Sequence, residues 1–296
     1  MTTNQEECLM HLLARAKINW TLDITGQRED GYHFMDMLMQ PVTLSDVIDL
    51  EEADTVTLTC SGTPYLPPDE HHLAWRAAMA LKQHTGCEKG ARIQVHKCIP
   101  VGAGMGGGSA DAAGVLAGLN RLWQLHLSQD ELEAIGLSLG ADVPFCLRGG
   151  LQHVQGIGEK MSPVPCKKML PLCVIQPCEG LSTGAVFKAY HGEAIHARPH
   201  TLQAMEALQQ GDLPKLTASL GNVLQIVSEA MRPAIGVAIQ DLLKAGAVTA
   251  WMTGSGSAVF GVFADSASAE QAGNALRQQY DRCWVCSTCM DSIVEA

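Results

Sequence analysis

Residues Pro100 to Ala113 read PVGAGMGGGSADAA, and five glycines (Gly102, Gly104, Gly106, Gly107 and Gly108) crowd its centre. Just before it comes Ala91–Cys98, ARIQVHKC, whose alternation puts Ile93 and Val95 on one face and predicts a strand. Just after it, Ala112, Val115, Leu116, Leu119, Leu122 and Trp123 recur at helical spacing. That stripe predicts a helix from Ser109 to about Leu125. A glycine loop between a strand and a helix sets bare backbone beside the helix's N-terminal amides. Glycine tolerates positive φ and lets a ligand approach the chain closely. The unpaired amides and the helix dipole favour an anion there. Ser109 adds a hydroxyl. The stretch is expected to cradle a di- or triphosphate, because so many glycines cost too much unfolded-chain entropy for a plain turn. A Walker A loop is excluded, since no lysine follows these glycines. The dinucleotide pattern G-x-G-x-x-G is formally met by Gly102, Gly104 and Gly107. It lacks an acid at the end of a following strand, because Asp130 falls inside a Ser128/Glu131 capping box.

The surrounding chain narrows the class. Its 296 residues are 47% hydrophobic and 17% charged, enough for a packed core. No apolar run approaches the roughly 18 residues of a membrane span. The first residues carry Glu6 and Glu7 and no basic stretch, which argues against a secretory signal. The net charge of −11 repels phosphate backbones, so nucleic acid is not an expected partner. Eleven cysteines in a chain of this size fit a reducing cytoplasm, with thiols used as small hydrophobes. Cys283, Cys286 and Cys289 have metal-site spacing. A strand through them would point Cys286 away from the other two, so no metal centre is expected.

Strand-like runs are expected at Ala16–Ile24 and Val47–Cys60, and helices at His72–Gln83 and from Ser128 to Gly140. Beyond Gly149 and Gly150 come a strand pair around Gly156 and Gly158, a short buried strand in MLPLCVIQP, and a mainly helical stretch from Thr201 to Ala245. A strand-turn-strand (AVTAWMTGSGSAVFGVF), a helix from Ser266 and a last strand complete the pattern. It reads as α+β with two lobes, 1–155 and 156–296.

The glycine stretch resembles the central phosphate motif of the GHMP small-molecule kinases, P-x-x-x-G-L-G-S/G-S-S/A-x-x-A. Ala14-Arg-Ala-Lys-Ile-Asn resembles that family's first motif and Met252-Thr-Gly-Ser-Gly its third, in the family's order. The resemblance implies an α+β two-lobed fold, with a ribosomal protein S5 domain 2-like first lobe and a ferredoxin-like second lobe. It implies an ATP-dependent phosphotransferase acting on an alcohol. Thr25-Gly-Gln-Arg-Glu-Asp-Gly-Tyr-His, Leu139-Gly-Ala-Asp-Val-Pro-Phe and Ser182-Thr-Gly-Ala-Val-Phe-Lys are similar to segments of a member that takes a cytidine diphosphate-linked methylerythritol in non-mevalonate isoprenoid synthesis. A diverged member acting on another small alcohol is the alternative.

The same resemblance assigns roles. Asp142 is the base that takes the hydroxyl proton and Lys17 its cationic partner. Read from the residues alone, Asp142 before Val-Pro is also an N-cap, and Lys17 an outward-facing strand residue. Lys97, Pro100, Gly102, Gly104, Gly106, Gly107, Gly108, Ser109 and Ser255 are assigned to ATP. Asn19 is assigned to the polyol, Tyr32, His33 and Phe187 to the base, and Thr183 to the diphosphate. Asp111 suits the helix dipole but adds negative charge, so Mg²⁺ is expected to arrive on the nucleotide phosphates rather than in a dedicated site. Where the family often has Asp-Asn-Leu before the helix at Leu73, this chain has His71-His72-Leu73. The oligomeric state is left between monomer and weak homodimer.

Overall fold

In the computed structural model, residues 9–29, 31, 33–62, 67–190 and 198–296 are described. The chain opens with three strands, β1 (Met10–Gln27), β2 (His33–Ala53) and β3 (Thr57–Ser61). Helix α1 (Leu73–Thr85), strand β4 (Gly90–His96) and helix α2 (Gly107–Leu122) follow. Two more helices, α3 (Gln129–Leu139) and α4 (Val143–Arg148), lead to β5 (Gln152–Gly156) and β6 (Lys160–Pro163). The second part holds β7 (Pro171–Ile175), α5 (Thr183–Ala189), α6 (Thr201–Gln210), α7 (Leu213–Ser219) and β8 (Gly221–Asn222). Next come α8 (Gln225–Met231), α9 (Ala234–Lys244), β9 (Thr249–Met252) and β10 (Val259–Val262). Helix α10 (Ser266–Leu276), β11 (Cys283–Ser287) and β12 (Ile293–Glu295) end the chain.

Among the described residues the strands form two sheets. The larger runs β12-β1-β2-β4-β3, with β5 and β8 also paired to β2 and β1, and β6 to β5. The smaller is antiparallel, β11-β7-β10-β9. In chain order that is fourth, first, third, second, the ferredoxin-like arrangement, with α9 and α10 packed on it. The fold is thus α+β. Because β5 and β6 join the first sheet, that sheet continues to Pro163, past the division expected at residue 155.

The strand reading underestimated β1 and β2. Residues His33–Asp46, HFMDMLMQPVTLSD, are rich in methionine rather than β-branched residues, so the propensity signal is faint there. Tertiary burial supplies what propensity lacks, since Met37, Leu38, Met39 and Val42 are all buried. Pro41 sits opposite Lys17, beside a register shift between Arg15 and Lys17, where a missing amide is tolerated. The capping box at Ser128 forms: Ser128 Oγ accepts from the Glu131 amide at 3.3 Å, and the Glu131 carboxylate accepts from the Ser128 amide at 2.8 Å.

The three spaced cysteines do not share a site. Strand β11 ends before Cys289, whose amide donates to Pro41 of the first sheet. Cys283 Sγ instead lies 3.6 Å from Cys173 Sγ on β7. Among the described residues no three His, Cys, Asp or Glu side chains are gathered to hold a metal. No helix there is long and apolar enough to cross a membrane.

Candidate active site

The glycine loop leaves β4 and enters α2 through three positive-φ glycines, Gly102 (64°), Gly104 (77°) and Gly106 (72°). It does not stand alone. The carbonyl of Ala103 accepts from the Ala258 amide at 3.1 Å, which ties it to the second lobe. Gly104 packs backbone to backbone on the turn between β9 and β10. A Cβ on Gly254 would come within 2.6 Å of the Gly104 carbonyl oxygen, and one on Gly104 would collide with the Thr253 carbonyl. The turn is held from behind by Asn222, whose Nδ2 donates to the carbonyls of Met252 (2.9 Å) and Gly254 (2.8 Å).

Strand β1 delivers the lysine of the charged pair. Register shifts flank Lys17 and Asn19, and both faces of this segment are covered. Ala16, Ile18 and Trp20 face the core, while the Lys17 amide donates to the Met105 carbonyl at 3.0 Å. Lys17 is therefore not the outward-facing lysine that alternation alone allows. Its Nζ donates to Asn19 Oδ1 at 2.7 Å and lies 3.7 Å from Asp142 Oδ2. Asn19 Oδ1 also accepts from the Gly254 amide at 3.1 Å. Asn19 thus joins the first motif to the third.

Asp142 stands at the N-cap of α4, with Pro144 in the first turn, yet its side chain caps nothing. Its backbone is already αR (φ −86°, ψ −11°), which turns the carboxylate away from the helix amides. The lysine is 5% exposed and the carboxylate 36%, so one partner is fixed and the other faces the cleft. Gly106 lets them meet, because a Cβ there would press on the Lys17 side chain at 3.2 Å.

These groups line one cleft of about 570 Å³. Lys17, Asn19, Lys97, Pro100, Gly102, Gly104, Gly106, Gly107, Gly108, Ser109, Asp142, Thr183, Phe187 and Ser255 all border it. The Thr183 and Ser255 hydroxyls are 2.9 Å apart, which places the expected diphosphate and ATP residues in contact. His33 packs on Phe187 with ring centroids 5.3 Å apart and planes inclined by 36°. Tyr32 lies outside the described residues. The chemistry available is a glycine-rich loop at a helix N-terminus, a buried ammonium, a partly exposed carboxylate and the aromatic ring of Phe187.

The chain matches the GHMP kinases N terminal domain over residues 72–150 and the GHMP kinases C terminal domain over residues 204–282. The 4-diphosphocytidyl-2-C-methyl-D-erythritol kinase of Alkaliphilus metalliredigens (strain QYMF) is 38% identical over 264 residues, 89% of this chain and 91% of that protein. The protein of the same name from Clostridioides difficile (strain 630) is 39% identical, covering 93% and 94%. The chain belongs to the GHMP kinase family. A crystal structure of a 4-(cytidine 5'-diphospho)-2C-methyl-D-erythritol kinase superposes with a TM-score of 0.81 at 33% identity, over 94% of this chain and 99% of that one. The homoserine kinase of Cytophaga hutchinsonii shares the fold, at a TM-score of 0.78 and 17% identity. As a kinase of this family, the chain takes ATP as co-substrate.

Two features of this GHMP kinase were not read from its sequence. One is His72, whose Nδ1 accepts from the Ala74 amide at 3.2 Å and so caps α1. Burial and the nearby Lys97 ammonium lower its pKa, which keeps Nδ1 free to accept. The other is a buried charge cluster beneath the loop. Lys97 Nζ donates to Asp46, and to Asp111 Oδ2 at 2.6 Å. Asp46 Oδ1 accepts from the amides of Cys98 (2.6 Å) and Ile99 (2.8 Å), where β4 becomes the loop. One ammonium thereby links the loop's entry to the helix at its exit. Burial favours neutral Lys97, but the two carboxylates outweigh it and leave its pKa raised. Two carboxylates and one ammonium leave one negative charge too many. It falls on Asp111, which burial, opposed by Lys97 and reinforced by Asp46, raises from 3.8 to about 8.

Asp111 is thus held towards its neutral form, with Lys97 bridging it to Asp46. Unfolding in the window between 3.8 and about 8 releases the proton of Asp111, so this group's contribution to stability falls as pH rises through that window. Asp111→Asn mimics the neutral acid but has no proton to lose on unfolding, so it should be at least as stable as the wild type at pH 7, with a flatter stability–pH curve. Asp46→Asn should cost about 1.5–3 kcal/mol, because a charged hydrogen bond is lost in the interior. Urea unfolding of both variants from pH 6 to 9 checks this, and an Asp111→Asn protein as weak as Asp46→Asn would refute the assignment.

Proposed function

We propose that this kinase transfers the γ-phosphoryl group of ATP to a hydroxyl of 4-diphosphocytidyl-2-C-methyl-D-erythritol, in the non-mevalonate route to isoprenoid precursors. One observation carries the reading: Lys17 and Asp142 pair in a cleft that the glycine loop and Phe187 also line. The loop amides from Gly106 to Ser109 cradle the phosphates, with Pro100, Gly102 and Gly104 shaping the approach and Ser255 closing it. Lys97 acts from beneath, through its hold on the loop's base. The acceptor hydroxyl enters between the γ-phosphoryl group and Asp142, which takes its proton as the new P–O bond forms. Lys17 faces the phosphoryl oxygens and offsets their charge. Asn19 fixes Lys17 and offers the acceptor its Nδ2, because its Oδ1 is already occupied.

The oxygen donors at the cleft fit a Mg²⁺ carried in on the nucleotide. Asp142 and Ser109 are hard ligands within it, whereas Asp46 and Asp111 are held by Lys97. Bound there, the cation supplies charge neutralisation on the β- and γ-phosphates. The described cysteines are free thiols, which supports placement in the cytoplasm.

His33 and Phe187, with Thr183 towards the diphosphate, form the acceptor's base end. Phe187→Ala should raise the acceptor KM by about ten- to a hundredfold through lost stacking, and leave the ATP KM unchanged. A coupled ADP-release assay with the cytidine compound and with bare methylerythritol phosphate tests the reading. Equal turnover of the bare polyol phosphate, or an unchanged acceptor KM in Phe187→Ala, would favour a GHMP kinase for another small alcohol.

A further inference from the structure

His33 has a second aromatic neighbour. The ring of Tyr190 meets the imidazole edge to face, with centroids 6.3 Å apart and planes at 89°. Tyr190 follows α5 directly, and its amide donates to the Phe187 carbonyl at 3.2 Å. One short turn therefore carries both rings that touch His33. Behind Tyr190 stands a fixed ion pair: Arg198 Nη1 donates to Asp23 Oδ1 at 2.6 Å and to the Ile24 carbonyl at 2.8 Å. The ion pair is thereby fixed to β1 near its end. Burial raises the pKa of the phenol, opposed by Arg198 and reinforced by Asp23.

An imidazole on a β-strand has rotamer freedom unless something closes its alternatives. Phe187 alone covers one side of the ring. Tyr190 stands against it at right angles, so that the two rings restrict His33 to one orientation beside Phe187, which borders the cleft. Hydrogen-bond readout of a base needs such a fixed donor or acceptor, because a mobile one loses discrimination before it loses affinity.

We propose that Tyr190 is a positioning residue for acceptor specificity, which locks the His33 imidazole against Phe187 so that it reads a pyrimidine edge. This rests on the acceptor assignment above. The lock is the ring edge, so Tyr190→Phe should behave as wild type. Tyr190→Leu should raise the KM for the cytidine diphosphate-linked acceptor by roughly three- to tenfold, with kcat and the ATP KM unchanged. It should also lower the preference for the cytidine over the uridine diphosphate-linked acceptor by about tenfold.

The free protein provides an arm that does not depend on turnover. With two aromatic rings against it, the His33 imidazole should show proton resonances displaced by their ring currents. They should move towards random-coil positions in Tyr190→Leu and stay in place in Tyr190→Phe. Unmoved resonances in Tyr190→Leu, or a Tyr190→Phe protein as impaired as Tyr190→Leu, would overturn the proposal. Wild-type protein that fails to phosphorylate the cytidine compound, with the resonances moving as expected, would sink the acceptor assignment and leave the lock standing.

Discussion

Asp142→Asn should lower kcat by about 10²- to 10⁴-fold, the usual contribution of a positioned proton acceptor, and leave the affinity for ATP nearly unchanged. The amide keeps the shape of the carboxylate and cannot accept the proton at neutral pH. Asp142 makes no capping bond to α4, so the substitution removes no helix stability through that route. Lys17→Met should fall similarly, since the ammonium sits 3.7 Å from the carboxylate and, in the proposed mechanism, faces the same phosphoryl group. The double variant should be little worse than either single one, because groups that act as a unit are not additive. Saturating kinetics on the three variants decides the matter. A loss of less than about tenfold in Asp142→Asn would leave Asp142 an orienting role only, as a loose phosphoryl-transfer transition state permits.

Gly104→Ala is expected to have the next largest effect. Its φ of 77° is a left-handed conformation that costs a side chain about 1–2 kcal/mol. The added methyl group would also collide with the Thr253 carbonyl, a backbone atom that cannot rotate away. The loop and the Thr253–Gly256 turn must then separate, and Asn19, which binds that turn, moves with it. A displacement of this size at a phosphoryl-transfer site costs on the order of 10²-fold in kcat/KM. Gly86→Ala is the control: it too has positive φ, at 70°, but its Cβ would meet nothing within 4 Å. Gly86→Ala should lose stability by strain alone and keep its turnover. Equal activity of Gly104→Ala and Gly86→Ala would show that the contact between the lobes carries no catalytic weight.

What could be read from the sequence was local. The glycine run, the helix after it and the Ser128–Glu131 box are each specified by neighbours a few residues apart, and each forms where expected. Lys17 and Asp142 were legible only through family motifs, because the distance that pairs them depends on two register shifts in β1 and on an N-cap that does not cap. Asp46 was invisible. In the run Leu44-Ser-Asp-Val it looks like any acid on a half-exposed strand, and only the pairing of β2 with β4 buries it beneath the loop. Asp111 was read for its place near a helix N-terminus. Its actual role is set by Lys97 on another element, which no spacing rule reports. The extent of β2 was lost for a related reason, since methionines declare a strand only once something packs on them.

The pairing of β12 with Leu12–Ala14 has a consequence for how the protein is made. On the ribosome, β1 is made long before β12, and its outer edge at these residues waits for its partner until the second lobe has been made. Until then it presents unpaired amides and carbonyls beside apolar side chains, the kind of edge that recruits other nascent strands. The strand that carries Lys17 is thus stitched shut by a segment translated after the whole second lobe. Premature termination anywhere in the second half should yield chains that aggregate through this seam rather than a stable half-enzyme.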